Sequence, residues 1–257
     1  MPPPMSAEES AIDRRTAHLG IVHSTTIEIN PFLTKCDRLR QYLGDDHFVV
    51  RGGFWRDHRI AFLQVGMGPR RATRGTHALI DGHQPRWIIS AGFSGALVPE
   101  LKTGHIVVAS STLDAEGKEL KIDLKMPANP SQGLHVGRLL TIAEVAKSAE
   151  DKQRLGRETG AIAVDMESAA VAAVCRERKV RFMAVRVISD EMNQTLPDEA
   201  LTILSDRGAV QIGAAVSALW KRPGSAADLW KLRTAANEAA TRLAFFLEGV
   251  VARLCEP

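Results

Sequence analysis

Short apolar runs alternate along this chain with segments whose apolar residues recur at helical spacing. Residues 17–22 (AHLGIV) form the first such run, and Thr25, Thr26 and a helix-compatible stretch to Leu43 follow it. The pattern predicts a buried strand feeding a helix. Residues 48–55 and 59–65 read as two strands around Arg56-Asp57-His58, a polar turn of hairpin length. Gly66-Met67-Gly68-Pro69 then breaks the pattern. Pro69 suits a first helical turn, and Ala72, Thr76, Leu79 and Ile80 continue at helical spacing until Gly82. Residues 87–90 (WIIS) and 106–109 (IVVA) predict two more buried strands, the first running into Ala91-Gly92-Phe93-Ser94-Gly95.

Residues 114–132 are polar, carry Gly117, Pro127 and Pro130, and show no clean period, so a loop is expected. Ser148-Ala149-Glu150-Asp151 resembles a helix start leading to Gly156 or Gly160. Next come a short strand at 161–164, a helix from about Met166 to Arg178 and a strand at 180–188. That unit has the length of a crossover connection. Residues 198–254 read as helical, broken at Arg222-Pro223-Gly224. Strands alternating with helices predict one α/β domain on a mixed, mostly parallel central sheet. Its expected extent is 17–257, after a disordered leader at 1–16 whose prolines and glutamates do not suit a signal peptide.

Composition narrows the partners. The 33 Lys and Arg against 30 Asp and Glu give +3 without long blocks of one sign, which disfavours nucleic acid and anionic membrane and leaves a small molecule as the expected ligand. No apolar run approaches the roughly 20 residues that cross a bilayer. Cys36, Cys175 and Cys255 are far apart with no CxxC spacing, so free thiols in a reducing cytoplasm are expected rather than zinc.

In open α/β sheets ligands bind beyond the carboxyl ends of strands. Four polar segments qualify: 24–28, 92–95, 165–168 and 189–190. Arg186, inside the apolar run 182–188, needs a carboxylate unless it faces outward from an edge strand, and Asp165 and Glu167 are the candidates. Structural roles compete with chemical ones here. Asp165 suits a helix N-cap, Glu167 suits the positive end of a helix, and Asp190 and Glu191 suit a solvated strand end. Two sharper motifs fail: Arg71 replaces the third glycine of GxGxxG, and Ala96 replaces the last glycine of GxSxG. No HExxH, P-loop or EF-hand pattern is present, and no metal or cofactor is expected.

Residues 161–171 (AIAVDMESAAV) together with 185–190 (VRVISD) resemble the two signature segments of the nucleoside phosphorylase/nucleosidase superfamily. The similarity extends to Gly20-Ile21-Val22 with Glu28 eight residues after Gly20, to Gly66-Met67-Gly68, to 92–97 and to 101–108, and includes methylthioadenosine/S-adenosylhomocysteine nucleosidases. It implies a three-layer sandwich and cleavage of a purine N-ribosidic bond. On that pattern Asp190 is the general acid toward the adenine ring, helped by Ser189, and Glu28 orients or deprotonates the attacking water. Glu167 holds the ribose hydroxyls and pairs with Arg186, Met166 packs on the sugar, and Gly92, Phe93 and Met67 belong to the substrate site.

The family's phosphorylases carry arginines where this chain has Ser90 and Phe93 and in the segment matching 23–26. The resemblance therefore implies water rather than phosphate as nucleophile, with phosphorolysis the alternative if Arg70 or Arg71 reaches the site. Phe93 stands where methylthioadenosine nucleosidases place a small or hydroxyl-bearing residue. Residues 66–72, Thr195-Leu196-Pro197, Lys221-Arg222-Pro223 and the C-terminal helix are closer to a hopanoid-biosynthesis-associated branch thought to remove adenine from adenosylhopane. A second copy of the chain is an expected partner. The helix at about 225–255 carries Leu229, Leu232, Ala236, Ala240, Leu243, Phe246 and Leu247 in an apolar stripe, for packing on the domain, for a dimer face or for a lip over a lipidic substrate. A silent nucleoside-binding module is the remaining class, against which Glu28, Glu167 and Asp190 together argue.

Overall fold

The computed structural model describes residues 16–43, 47–123, 126–196 and 225–255, with side chains of the last segment described from residue 234. Its elements are β1 (Leu19–His23), α1 (Thr26–Leu33), β2 (Asp37–Leu43), β3 (Val49–Trp55), β4 (His58–Gln64), α2 (Pro69–His83) and β5 (Trp87–Ala96). β6 (Ile106–Leu113), β7 (Glu119–Lys121), β8 (Leu134–Thr141), α3 (Ala149–Thr159), β9 (Ala163–Asp165), α4 (Ser168–Glu177), β10 (Arg181–Asp190) and α5 (Ser225–Cys255) follow. The strands join in one mixed sheet of order β10-β6-β8-β9-β5-β1-β4-β3-β2, with β7 on β6, and a second pairing of β10 with β5 closes part of it into a ring.

β1, β5 and β10 run parallel and side by side. Their apolar residues do not alternate because helices cover both faces. On one face Ile29 and Phe32 of α1 and Leu243 and Leu247 of α5 pack on Leu19, Ile21 and Val185. On the other, Leu79 and Ile80 of α2 and Val171, Val174 and Cys175 of α4 pack on Val22 and Ile88. The sheet is thus the middle of three layers. Cys36, Cys175 and Cys255 are free thiols.

The expected strands at 17–22, 48–55, 59–65, 87–90, 106–109, 161–164 and 180–188 all form, as do the helices after Pro69, Ser148 and Met166. Four differences have physical causes. The helix begun at Thr26 stops at Leu33, and residues 37–43 form edge strand β2, paired antiparallel to β3. β2 is almost wholly exposed, so no apolar run marks it. β8 escapes a periodicity reading because its first five residues are only half-buried. Within the expected loop at 114–132, Glu119–Lys121 adds a strand to β6. β9 and β10 are not joined by a parallel crossover: β9 is three residues long and pairs antiparallel to the last residues of β5, whereas β10 is parallel to β5.

Where it is described, the apolar stripe of α5 packs on the domain: Ala240, Leu243 and Leu247 are buried and Phe246 is half-buried. The leader at 1–15, the break at 222–224, the segment 197–221 and the side chains of Leu229 and Leu232 lie outside the described residues. Among the described residues no helix is long and apolar enough to cross a membrane.

Candidate active site

The carboxyl ends of β1, β5 and β10 open on one cleft, the place where α/β sheets bind their ligands. All four polar segments named from sequence meet there, through Ser24, Thr25 and Glu28, Phe93 to Gly95, Asp165 to Glu167, and Ser189 with Asp190. Met67 reaches the same cleft from the loop before α2. Ile142, Val145, Ala146 and Leu196 add an apolar wall and Glu144 a further carboxylate, none of them anticipated from sequence. Ser94 is buried, and its Oγ has no hydrogen-bond partner among the described residues. A buried hydroxyl left open on a cleft is a position where a ligand is expected to bond.

Glu28 is the third residue of α1, and its carboxylate serves the helix start. Oε2 accepts the backbone N–H of Ser24 at 2.9 Å and of Thr25 at 2.8 Å, and Oε1 accepts the N–H of Phe93 at 3.1 Å. Burial raises its pKa above the usual carboxylate value, opposed by these hydrogen bonds and by Arg186.

Arg186 and Gly92 stand behind the cleft wall rather than on it. The guanidinium is 1% exposed; its Nε donates to Asp165 Oδ2 at 2.7 Å, and Nη2 donates to the hydroxyls of Ser90 at 2.8 Å and Ser168 at 3.0 Å. Glu167 Oε2 is 4.0 Å away. The counter-ion is therefore chiefly Asp165, not Glu167 as the family pattern implies, because Asp165 lies on β9 at the level of the guanidinium while Glu167 has turned toward the α2 loop. Asp165 also caps the chain entering α4, accepting the N–H groups of Glu167 and Ser168, both at 3.3 Å from Oδ1, and the Thr141 hydroxyl at 2.6 Å. The N-cap residue itself is Glu167 rather than Asp165, so Asp165 serves the start of α4 from two residues before the cap while it pairs with Arg186. Gly92 permits the close approach: a Cβ there would lie 2.7 Å from both Arg186 Nη1 and Glu28 Oε1.

Glu167 Oε1 accepts the N–H of Gly68 at 2.9 Å. Gly68 sits at φ 102°, a conformation only glycine adopts without strain, so the Gly66-Met67-Gly68 turn is what delivers this N–H. Burial, reinforced by the neighbouring Asp165 charge and opposed by Arg186, pushes the Glu167 pKa up to about 7.

Asp190 ends β10. Its Oδ1 accepts the Ser189 hydroxyl at 2.6 Å, and its Oδ2 forms an ion pair with Lys152 of α3. The Lys152 side chain is 0% exposed. Lys152 was missed because α3 reads as a polar surface helix, and no local spacing ties residue 152 to residue 190. Arg71, the proposed phosphate contact, is held elsewhere: Nε donates to the Val65 carbonyl at 2.6 Å and the guanidinium lies over Phe48. Neither Arg70 nor Arg71 lines the cleft.

A family model described as the phosphorylase superfamily matches residues 35–131 and 122–219. A 5'-methylthioadenosine/S-adenosylhomocysteine nucleosidase of Haemophilus influenzae (strain PittGG) is 32% identical over 155 residues, which span 51% of this chain and 68% of that protein. A nucleosidase of the same name from Helicobacter pylori, solved in complex with a substituted pyrrolidin-3-ol, superposes with a TM-score of 0.68 at 19% identity over 91% of this chain and 97% of the other. Futalosine hydrolase of Helicobacter pylori superposes with a TM-score of 0.67 at 18% identity, covering 91% and 98%. At such identities the two structures establish a shared fold.

Proposed function

Because this chain belongs to the phosphorylase superfamily, we propose that it is a purine nucleosidase, an N-glycosyl hydrolase that releases adenine from a 5'-substituted adenosine. The reading is supported by its nucleosidase relatives in Haemophilus influenzae. The observation that carries it is the composition of the cleft. Among the described residues its lining holds Glu28, Glu144, Asp165, Glu167 and Asp190 and no Lys, Arg or His.

Such a lining suits a reaction in which a sugar cation develops as the base departs, since anionic groups placed around the sugar stabilise that charge. Asp190 takes up a proton from solvent when substrate binds and passes it to the departing ring, with Ser189 bonded to its Oδ1. Glu167 faces the ribose hydroxyls and Met166 the sugar. Glu28 directs a water molecule at the anomeric carbon. Met67, Phe93, Ile142, Val145 and Leu196 provide the apolar contacts. Arg186 acts from behind, holding Asp165 and screening Glu28 and Glu167 from each other, and Gly92 leaves it room.

Water is the nucleophile in this proposal. A phosphate dianion would meet carboxylates and no lining cation, an arrangement that binds anions poorly. The half-buried Phe93 and the apolar wall favour a 5' substituent that is itself apolar, methylthio or larger, with an adenosylhopane-like nucleoside inside that class. The proposal extends to a cytoplasmic location, which cell fractionation tests, and to a homodimer, which light scattering on the purified protein tests.

The deciding experiment measures adenine released from methylthioadenosine, S-adenosylhomocysteine and adenosine, with inosine as a base control, each with and without phosphate. Release from an adenine nucleoside at equal rates in both conditions is expected. Release that requires phosphate in dialysed enzyme would establish phosphorolysis instead.

A further inference from the structure

Lys152 is a buried cation with no place in the chemistry above. Its ammonium donates hydrogen bonds to the Glu191 carbonyl at 3.1 Å and the Gln194 carbonyl at 2.8 Å and forms an ion pair with Asp190 Oδ2. Two of its three protons are committed to backbone carbonyls, and its charge is matched by the Asp190 carboxylate. A lysine is tolerated at such burial only with a counter-ion and hydrogen-bond acceptors around it, and both are present. The two carbonyls belong to the turn that follows β10. That turn is closed by the Gln194 N–H on the Glu191 carbonyl at 3.0 Å, and the Leu196 N–H reaches the Lys147 carbonyl at 2.9 Å. One ammonium thus ties α3 to the carboxylate at the end of β10 and to the chain that carries Leu196 into the cleft.

We propose that Lys152 is the positioning residue for Asp190. It holds Oδ2, while Ser189 holds Oδ1, so that the carboxyl group is fixed toward the departing base and the turn at 191–194 keeps its shape around it. The proposal rests on the nucleosidase reading for the identity of the base. Its geometric content stands apart from that reading.

The test is a cycle of Lys152→Met and Asp190→Asn, with adenine release measured for both single variants and the double. Lys152→Met is expected to lower kcat on the order of 10²-fold, the scale of a small misplacement of a catalytic group, with little change in KM. In the Asp190→Asn background the same change is expected to cost less than about twofold, since residues that act through one another are non-additive. Lys152→Gln, which keeps N–H donors, is expected to recover part of the loss. An equal loss of activity in both backgrounds overturns the proposal, because it marks a purely structural lysine.

A second measurement needs no activity and no lysine variant. In protein carrying ¹⁵N-lysine, Lys152 is expected to give a slowly exchanging ammonium signal that shifts in Asp190→Asn. A missing or unshifted signal overturns the pairing. Wild-type protein that shows the protected, shifting signal yet releases no adenine supports the pairing and overturns the nucleosidase reading.

Discussion

Two buried cations stand behind the same cleft, and they are arranged differently. Arg186 is bonded to Asp165 and two serine hydroxyls and has Glu167 and Glu28 close by. Lys152 is paired with Asp190 alone and otherwise with backbone carbonyls. Around Arg186 acids outnumber the base, so one of them must hold its proton more tightly than an ordinary carboxyl group, and Glu167 is the one pushed up to about 7. Around Lys152 charge is matched one to one. A planar fork with five donors can serve several acceptors at once, whereas an ammonium serves as a compact anchor for one carboxylate. The first cluster shapes a field, and the second fixes a position.

The largest effect is expected at the second cluster. Asp190→Asn keeps the shape of the side chain and should lower adenine release by on the order of 10²- to 10⁴-fold, the usual contribution of a general acid, with an unchanged circular dichroism spectrum. Full activity in this variant removes Asp190 from the acid role. Arg186→Met tests the first cluster through stability. Stripping the cation from Asp165, Glu167 and Glu28 is expected to cost about 3–5 kcal/mol in urea unfolding. A cost under about 1 kcal/mol, the range of an exposed pair, would show that the cluster is far wetter than its burial implies.

Gly92→Ala should be milder. The new methyl group must displace either Arg186 or Glu28, and overpacking of this kind costs about 1–3 kcal/mol; an unchanged melting temperature would mean that the two side chains have room to separate. The smallest and most gradual effect is the titration of Glu167. Its folded-state pKa of about 7 lies above the ordinary 4.5, so the folded form holds a proton that the unfolded chain has released. Stability from this group therefore falls as pH rises from about 4.5 to about 7 and is flat outside that window. Glu167→Gln should be relatively more stable than wild type toward the upper end of the window, and a difference independent of pH between the two would contradict the shift.

Much of this was legible in the residues. The buried strands announced themselves because both faces of the sheet are covered and their residues form unbroken apolar runs, as at Leu19–Val22 and Trp87–Ile89. The site acids were legible because they follow such strands directly: Glu28 after β1, Glu167 after β9, Asp190 at the end of β10. β2 and β8 were not, since exposed or half-buried strands are defined by hydrogen bonds to neighbours rather than by an apolar pattern. The pairing of Arg186 was half legible. Its need for a carboxylate followed from its surroundings, but Asp165 and Glu167 are two residues apart, and the turn between β9 and α4 decides which of them comes within reach.

The order of residues alone dictated where the chain is buried, where it turns and which ionisable groups emerge at strand ends, because those are local consequences of side-chain polarity and backbone freedom. Packing between distant segments settled the rest. Closing β10 against β5 brings residue 190 beside residue 95, and laying α3 across that edge puts Lys152 under Asp190. No pattern within either segment encodes the meeting. A buried charge is tolerated only where partners arrive from elsewhere in the fold, and those partners exist only once the fold has formed.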